Sequence, residues 1–377
     1  MPRILLLLIA CLWNVTPLSA QYGQIDRHAR RAPDSLSQNL PALARYLSAG
    51  AENETELARG IYTWVTRYLS YDQKASRQDE RINESIRDII QRRKGLCMDY
   101  ALLYQALCRY AGLPCAKVDG YAAPRLTEGR RLPDKPDHAW NAVRADGQWR
   151  LVDATWSEVQ DESHEAYGTT YFFTPPKIFI LTHLPEQPMW QLLPCPISAQ
   201  AFARPAQRIE SELLRGDSCM AYPDSIAAFM ALPPAEHLLA SARASYATHP
   251  TPYTRRQWGA ALFDRAALLD RRTEALPYPD SATAIIRLRA TAIEDCERAL
   301  ALFQPEDWQR QLYAQLLLNH AIARYQLPAR HPDAADGPMA IALLEKAKAQ
   351  LLQLPETDYY RNYALPQCER LLEQLGD

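Results

Sequence analysis

The sequence predicts an α+β domain in the first half of the chain and an all-α domain in the second half. Between residues 53 and 155, segments with helical spacing of apolar residues give way to β-like runs joined by a hairpin turn. Beyond residue 196 the apolar residues recur mainly at helical spacing. A chain of 377 residues, of which 47% are apolar, is long enough to form two hydrophobic cores.

The first twenty residues have the composition of a secretory signal peptide. Met1-Pro2-Arg3 is a short basic start, residues 4–13 are apolar, and Leu18-Ser19-Ala20 ends the segment in small residues. We therefore expect residues 1–20 to be removed before Gln21, which leaves an exported protein in the periplasm or secreted. The apolar run is about half of the ~20 residues that a spanning helix needs, so no transmembrane segment is expected.

The eight cysteines do not form an evident disulfide framework. Cys11 has the spacing of a lipid-attachment site, but the leader before it would be unusually short, so a lipid anchor is the less favoured alternative. The seven other cysteines are an odd number in a long chain, so at least one thiol should stay unpaired. Cys108 and Cys115 flank a Gly-Leu-Pro turn, and both a bridge and two buried free thiols are left open.

Charge and motif content exclude several classes of function. The 42 basic and 44 acidic residues give a net charge of −2 without a block of like charges, so no nucleic-acid partner is expected. The sequence has no Cys-x-x-Cys and no His-x-x-x-His pair, so no metal or other cofactor is expected either.

Three helices are predicted before the strands. The first runs from a cap at Asn53 or Thr55 to Tyr71, and the second covers Ile82 to Ile90. The third, from Cys97 to Tyr110, is the most apolar of the front half. Such a helix belongs in the middle of a domain.

The strands follow Pro114. They are predicted at residues 117–122, 138–145 and 148–155, with further strands at 171–173 and 178–181. Asp146-Gly147, between the second and third runs, is a strong hairpin signal. Prolines 185, 188, 194 and 196 then interrupt regular structure, so we place the domain boundary there, with domains at 21–195 and 196–377.

The second half reads as an array of helices. Helical periodicity is clearest at residues 292–303, 312–325, 340–354 and 363–375. Ala and Leu at close-packing positions suggest antiparallel helix pairs, with tetratricopeptide-like pairs as one form. The sequence shows no clean 34-residue period, so the prediction stops at a helical array.

Cys97 is the candidate nucleophile. It follows Gly95 and opens the buried helix, where the first-turn amides and the helix dipole favour a thiolate. The backbone N–H of Cys97 is also the candidate donor to an oxyanion. Asp99, on the same turn, is expected to cap the helix rather than to catalyse.

The hairpin turn predicts a His-Asp pair. If Asp146 and Gly147 are the two loop residues, Ala145 pairs with Gln148 and the register brings His138 and Asp153 onto one face as diagonal neighbours. A slip of one residue would put them on opposite faces.

Cys97, His138 and Asp153 together have the residue types of a thiol triad for acyl transfer. Cys97 would attack a carbonyl carbon, His138 would move the proton, and Asp153 would fix the tautomer of the ring. Trp140 shares their face and is expected to pack there or to shield their hydrogen bond. Asn141 points the other way and is expected to be structural, whereas Trp156 and His183 are candidates for the cleft wall.

Three segments around the candidate triad form recognisable motifs, Gly95 to Ala101 (GLCMDYA), His138 to Asn141 (HAWN) and Trp149 to Trp156 (WRLVDATW). Together they resemble the core motifs of the transglutaminase-like superfamily, in its kyphoscoliosis-peptidase-like branch. Residues 61–72 and 182–193 resemble the same branch, so the similarity spans roughly residues 40–195. The resemblance implies a papain-like α+β fold with Cys97, His138 and Asp153 as the triad.

The resemblance leaves the reaction open among crosslinking, peptide or amide hydrolysis, and loss of activity. The chain has neither the calcium-ligand cluster of animal crosslinking enzymes nor the zinc-binding cysteine pairs of peptide N-glycanase relatives. Hydrolysis of a peptide or protein substrate is therefore favoured. The alternatives are a catalytically silent binding protein, with the helical half as its partner surface, and a crosslinking transferase. The basic loop at 123–137, with Arg125, Arg130, Arg131 and Lys135, favours a solvated surface over an acidic-group site.

Overall fold

The computed structural model describes residues 22–78, 85–123, 131–156, 171–214, 219–277, 280–327 and 337–376. The predicted signal peptide, Cys11, and two arginines of the basic loop, Arg125 and Arg130, lie outside these ranges. Within them, no helix combines the length and the apolar character needed to cross a membrane.

The front half begins with six helices, and all of them except the short fourth helix pack around one apolar core. They are α1 (Gly23–Arg30), α2 (Leu40–Ala49), α3 (Glu54–Tyr68), α4 (Gln73–Gln78), α5 (Ile86–Arg92) and α6 (Cys97–Ala111). Asn53 caps α3 as predicted, because its side chain accepts a hydrogen bond from the Glu56 amide at 2.8 Å. Helix α6 is central, with Leu103, Tyr104 and Leu107 fully buried.

A four-stranded antiparallel sheet packs against α6. Its strands are β3 (Cys115–Ala122), β4 (His138–Ala145), β5 (Gln148–Val152) and β6 (His183–Pro185), in the order β5-β4-β3-β6. A separate parallel pair, β1 (Ser70–Tyr71) with β2 (Lys94–Gly95), lies just before α6. The edge strand β6 follows β5 in sequence but pairs with β3. Residues of β6 therefore lie beside residues of β3 that are distant along the chain.

Two predicted strands were wrong. Residues 171–173 make a single isolated bridge, between Phe172 and Val152. Residues 178–181 overlap a short helix, α7 (Pro176–Phe179), which begins at a proline. Proline fits the first turn of a helix because the amide it lacks would have no intrahelical partner there, and this signal outweighs the short apolar run.

The second half is helical throughout its described ranges, as predicted. Its helices are α8 (Ala199–Phe202), α9 (Ala206–Leu213), α10 (Tyr222–Met230), α11 (Pro234–Thr248), α12 (Pro252–Glu274), α13 (Ala282–Leu300), α14 (Asp307–Tyr325), α15 (Gly337–Leu351) and α16 (Tyr359–Gly376). Helices α12 to α16 share one core. Helix α10 also contacts the front half, since its Phe229 packs with Trp190 in the core beneath the sheet. The domain boundary near residue 196 stays a prediction.

Among the described residues, a disulfide joins Cys195 to Cys219, and no local sequence pattern predicts this pair. Cys108 and Cys115, whose pairing the sequence left open, are both free thiols. Cys97 is also free and is half-buried.

Candidate active site

Cys97 is the first residue of α6, as the sequence predicts. Asp99 accepts a hydrogen bond from the Leu96 amide at 2.8 Å, which makes it a helix cap. Gly95 must be small here, because a Cβ on it would lie 2.6 Å from the Cβ of Asp99. The cap and the glycine therefore hold the helix start. The Asp99 amide donates to the Leu96 carbonyl oxygen at 2.9 Å, whereas the amides of Cys97 and Met98, at the first two positions of the helix, have no intrahelical acceptor.

The hairpin has the register that the turn predicts. Ala145 pairs with Gln148 and Asn141 pairs with Val152 across β4 and β5. The two loop residues have positive φ, 49° at Asp146 and 78° at Gly147. These are the angles of a two-residue turn whose twist matches that of the strands.

His138 and Asp153 are hydrogen-bonded, with 2.7 Å between Nε2 and Oδ2. The second ring nitrogen of His138 is left for the thiol of Cys97, which hydrogen-bonds the imidazole. The other oxygen of Asp153, Oδ1, accepts the backbone amides of Thr155 at 2.8 Å and Trp156 at 3.2 Å. The structure thus brings the three predicted residues into one chain of contacts.

Burial and the ion pair have opposite effects on the pKa values of His138 and Asp153. Burial alone would lower the pKa of His138, but the charge of Asp153 and its hydrogen bond raise that pKa to about 10. Burial would raise the pKa of Asp153, but the charge of His138 and hydrogen bonds from both neighbouring histidines hold it well below its usual range. At neutral pH the pair is therefore imidazolium and carboxylate.

His183 has a role at the site that the sequence did not reveal. Its Nε2 lies 3.1 Å from the same Oδ2 of Asp153, and its Nδ1 lies 2.8 Å from the hydroxyl of Thr182. Burial lowers the pKa of His183 to about 4, despite the hydrogen bond and charge of Asp153. His183 is therefore neutral at physiological pH and sits behind the acid. It is fully buried and does not line an open cleft.

Aromatic rings surround the two histidines. Trp156 lies 5.3 Å from the His138 ring and 4.4 Å from the His183 ring, measured between centroids. Trp140 lies 5.9 Å from His138 and is almost fully buried. Half-buried Trp156 therefore lies at the rim of the site, whereas Trp140 packs and keeps water from the His-Asp bond.

Asn141 has a structural contact, as predicted. Its amide nitrogen donates to the carbonyl oxygen of Ala101 at 3.0 Å, which ties β4 to α6. This bond holds the strand that carries His138 against the helix that carries Cys97.

His138, Asp153 and His183 place their nitrogen and oxygen atoms within 4.8 Å of one another, close enough for a metal site. A tetrahedral zinc ion with bonds of 2.0–2.1 Å would keep its ligand atoms about 3.3 Å apart. The two nitrogens instead lie 2.7 and 3.1 Å from one carboxylate oxygen. These are direct hydrogen bonds, so the cluster fits shared protons better than a metal ion.

Part of this chain is similar to known proteins. Residues 41–154 match the transglutaminase-like superfamily. The chain is 32% identical to human kyphoscoliosis peptidase over 188 residues, which is 48% of this chain and 28% of that protein. It is 31% identical to a LIM and transglutaminase domain protein of Caenorhabditis elegans over 203 residues, 48% of this chain and 27% of that protein. A solved structure described as a candidate cysteine protease, from Cytophaga hutchinsonii, is 26% identical, covers 35% of this chain and 42% of its own, and has a TM-score of 0.26.

A cysteine at a helix start that faces a His-Asp pair on an antiparallel sheet defines a papain-like α+β fold. The match of residues 41–154 to the transglutaminase-like superfamily confirms the resemblance seen in the motifs. The matched region spans less than a third of the length of the two relatives named above.

Proposed function

We propose that this protein is an exported thiol enzyme that hydrolyses peptide or amide bonds through Cys97, His138 and Asp153. The observation that carries the proposal is the buried bond between His138 and Asp153, with the thiol of Cys97 on the other side of the ring. A strongly shifted pKa at a thiol-histidine contact is typical of a catalytic site. The superfamily match and the kyphoscoliosis-peptidase-like relatives support the same class.

Each residue has one role in the reaction. Cys97 reacts as a thiolate opposite the imidazolium of His138. Its sulfur attacks the carbonyl carbon, and the C–N bond breaks as His138 gives its proton to the leaving amine. The product is a thioester on Cys97 beside a neutral His138. His138 then takes a proton from water, and the resulting hydroxide attacks the thioester, which releases the acid and restores the thiolate opposite the imidazolium. Asp153 keeps the ring oriented, and the first amide of α6 stabilises the oxyanion in both steps.

The alternatives differ in what happens at the thioester. A crosslinking transferase would let a primary amine attack it instead of water, and a silent binding protein would never form it. The intact contact chain from Cys97 to Asp153 favours an enzyme. Nothing in the site selects water over an amine, so the choice of hydrolysis rests on the absence of a calcium-ligand cluster in the sequence.

Export is part of the proposal and has its own support. The first twenty residues have the composition of a signal peptide, and the Cys195–Cys219 bond is a feature of proteins in oxidising compartments. We propose a periplasmic or secreted protein, with a lipid anchor at Cys11 as the alternative. The N-terminal residue of the protein purified from its native host tests this point, since removal of the leader would make it Gln21.

The test of the activity uses a mixed-sequence pool of unstructured peptides incubated with the full chain. The proposal predicts new peptide termini, read by mass spectrometry, that are absent with Cys97→Ser. A parallel incubation with a labelled primary amine separates the alternatives. Amine incorporated into glutamine side chains would identify a transferase, and no product in either incubation would support a binding role. The helical half is then the proposed surface for a protein partner.

A further inference from the structure

Asp153 is a fully buried carboxylate with four donors. Two backbone amides reach Oδ1, and two histidines reach Oδ2. The other side of the His138 ring faces the thiol, whereas the other side of the His183 ring faces Thr182 and the backbone of Phe179, which the proposed reaction does not use. His183 therefore contacts the acid of the triad without belonging to the triad.

The contacts of His183 fix its tautomer. Only an N–H can face the anionic Asp153 at 3.1 Å, so Nε2 carries the proton. A neutral imidazole has one N–H, so Nδ1 is an acceptor. The hydroxyl of Thr182 lies 2.8 Å from Nδ1 and 3.3 Å from the carbonyl oxygen of Phe179, and with Nδ1 as an acceptor it donates along the shorter contact. Thr182 also bonds the hydroxyl of Tyr171, which extends the network away from the thiol.

The surroundings of His183 exclude water and add no competing charge among the described residues. Its ring stacks on Phe179 with 4.1 Å between centroids and meets Trp140 edge-on at 5.1 Å. The titratable groups that face the acid and its histidines are the thiol of Cys97 and the phenols of Tyr62 and Tyr171. Burial raises the pKa of both phenols, to about 12 for Tyr171, so both are neutral.

We propose that His183 is a positioning residue of the active site, which holds the carboxylate of Asp153 toward His138 through its Nε2–H. The carboxylate turns about the Cβ–Cγ bond as one plane, and the two backbone amides resist that turn only through Oδ1. The Nε2–H of His183 adds a restraint on Oδ2 itself, the oxygen that His138 contacts. This inference rests on the proposed function, because it assigns His183 a part in the same thiol-imidazole chemistry.

Two substitutions at His183 show whether the residue acts as a hydrogen-bond donor or only packs. His183→Phe keeps a ring against Phe179 but removes the N–H. His183→Gln loses the ring but can place an amide N–H where Nε2 lies. A positioning role predicts that His183→Gln retains more function than His183→Phe, and a packing role predicts the reverse order.

The readout is alkylation of Cys97 by iodoacetate from pH 5 to 11. This anionic reagent reacts fastest when His138 is charged, so the alkaline side of its profile reports the loss of that proton. We expect His183→Phe to slow alkylation at pH 7 by about tenfold to a hundredfold, the range seen for outer partners of metal ligands. We also expect its alkaline limb to move to lower pH, while His183→Gln stays near the unmodified protein. A wild-type profile in His183→Phe would overturn the inference.

Nitrogen-15 NMR of histidine in the unmodified protein tests the inference without a variant. We expect His183 to be neutral at pH 7 with its proton on Nε2. A proton on Nδ1, or on both nitrogens, would overturn the inference even if the variants fail to fold. Failure of the proposed function would look different from failure of this inference. In that case Cys97 of the unmodified protein would itself show no activated alkylation.

Discussion

Asp153 sets the charge of the candidate site, because both histidines contact its Oδ2. One of them, His138, is held as an imidazolium, whereas the other, His183, is held neutral. Burial lowers the pKa of both rings, but the charge and hydrogen bond of Asp153 outweigh burial at His138 and do not outweigh it at His183. The reactivity of Cys97 should therefore depend on a residue that it does not touch.

Replacing Asp153 by Asn tests this dependence. Without the carboxylate, the imidazolium of His138 loses its counter-charge. The ring also loses the hydrogen bond that fixes its orientation. We expect peptide turnover to fall by about 10⁴-fold, the loss that this change causes in a serine protease triad. Asp99→Asn is the matched control, because Asp99 lies two residues from Cys97 but bonds the Leu96 amide. Equal losses in the two variants would contradict the assigned roles.

The sequence predicted the His-Asp pair and missed the contact of His183 with the acid. Asp146-Gly147 fixes the register of β4 and β5, so the diagonal contact follows from local turn chemistry. His183 reaches the acid only because β6 pairs with β3, across a long connection. No local pattern specifies such a pairing. The sequence could place His183 near the cleft only through the family resemblance.

The β4-β5 hairpin is the element that assembles the site. Its turn also docks on the start of α3, where Asp146 accepts from Thr55 at 2.6 Å and donates its amide to Glu54 at 2.6 Å. The hairpin therefore holds the histidine and the acid in register at one end and is anchored to the helical layer at the other.

Gly147→Ala tests the strain at this turn. A Cβ at Gly147 would meet nothing within 4 Å, so the cost is backbone strain alone at φ 78°. We expect the free energy of unfolding to fall by about 1–2 kcal/mol, measured by urea denaturation. Gln148→Ala, on the next exposed position, should change it by less than about 0.5 kcal/mol. Equal effects at the two positions would show that the turn is not strained.

Element prediction failed where a short apolar run was ambiguous. Residues 178–181 have the apolar content of a strand, but Pro175-Pro176 before them starts a helix, α7. That helix leads into β6 and so sets the entry of His183 into the sheet. The longer helices, such as Cys97–Ala111, were predictable because their periodicity covers several turns and because Gly112 ends α6 in the left-handed region.

The two halves of the chain are in contact at the level of the whole molecule. Ser245 of α11 hydrogen-bonds Glu186 just after β6, and Thr251 donates to the carbonyl oxygen of Asp134 at 2.7 Å. The sequence predicted a helical second half. It could not predict this docking, because the partners are separated by many residues and are polar groups without a motif.

The Cys195–Cys219 bond should stabilise this junction. It closes a loop with a sequence separation of 24, for which a chain-entropy estimate gives about 3 kcal/mol. We expect the double variant Cys195→Ser, Cys219→Ser to lose about that much free energy of unfolding in urea. Labelling of both thiols in unreduced protein from its native host would show that the bond does not form there.

Acid should weaken the helical half through His320. Burial first, then Arg324 and Arg289, lower the pKa of His320 to about 4. As pH falls from about 6.5 to 4, the unfolded chain binds a proton that the native protein does not, so stability declines. We expect the melting temperature of His320→Leu to fall less between pH 7 and pH 4 than that of the unmodified protein. Parallel curves would mean that His320 is not buried and neutral.

The most direct test of the central claim is the rate at which iodoacetamide labels Cys97 from pH 5 to 9, followed by mass spectrometry, in the unmodified protein and in His138→Ala. The thiol-imidazole contact predicts rapid labelling that persists well below pH ~8.5, where a free thiol ionises, and that is lost in the variant. Labelling with the pH dependence of a free thiol in both proteins, or no labelling in either, would contradict a thiol enzyme.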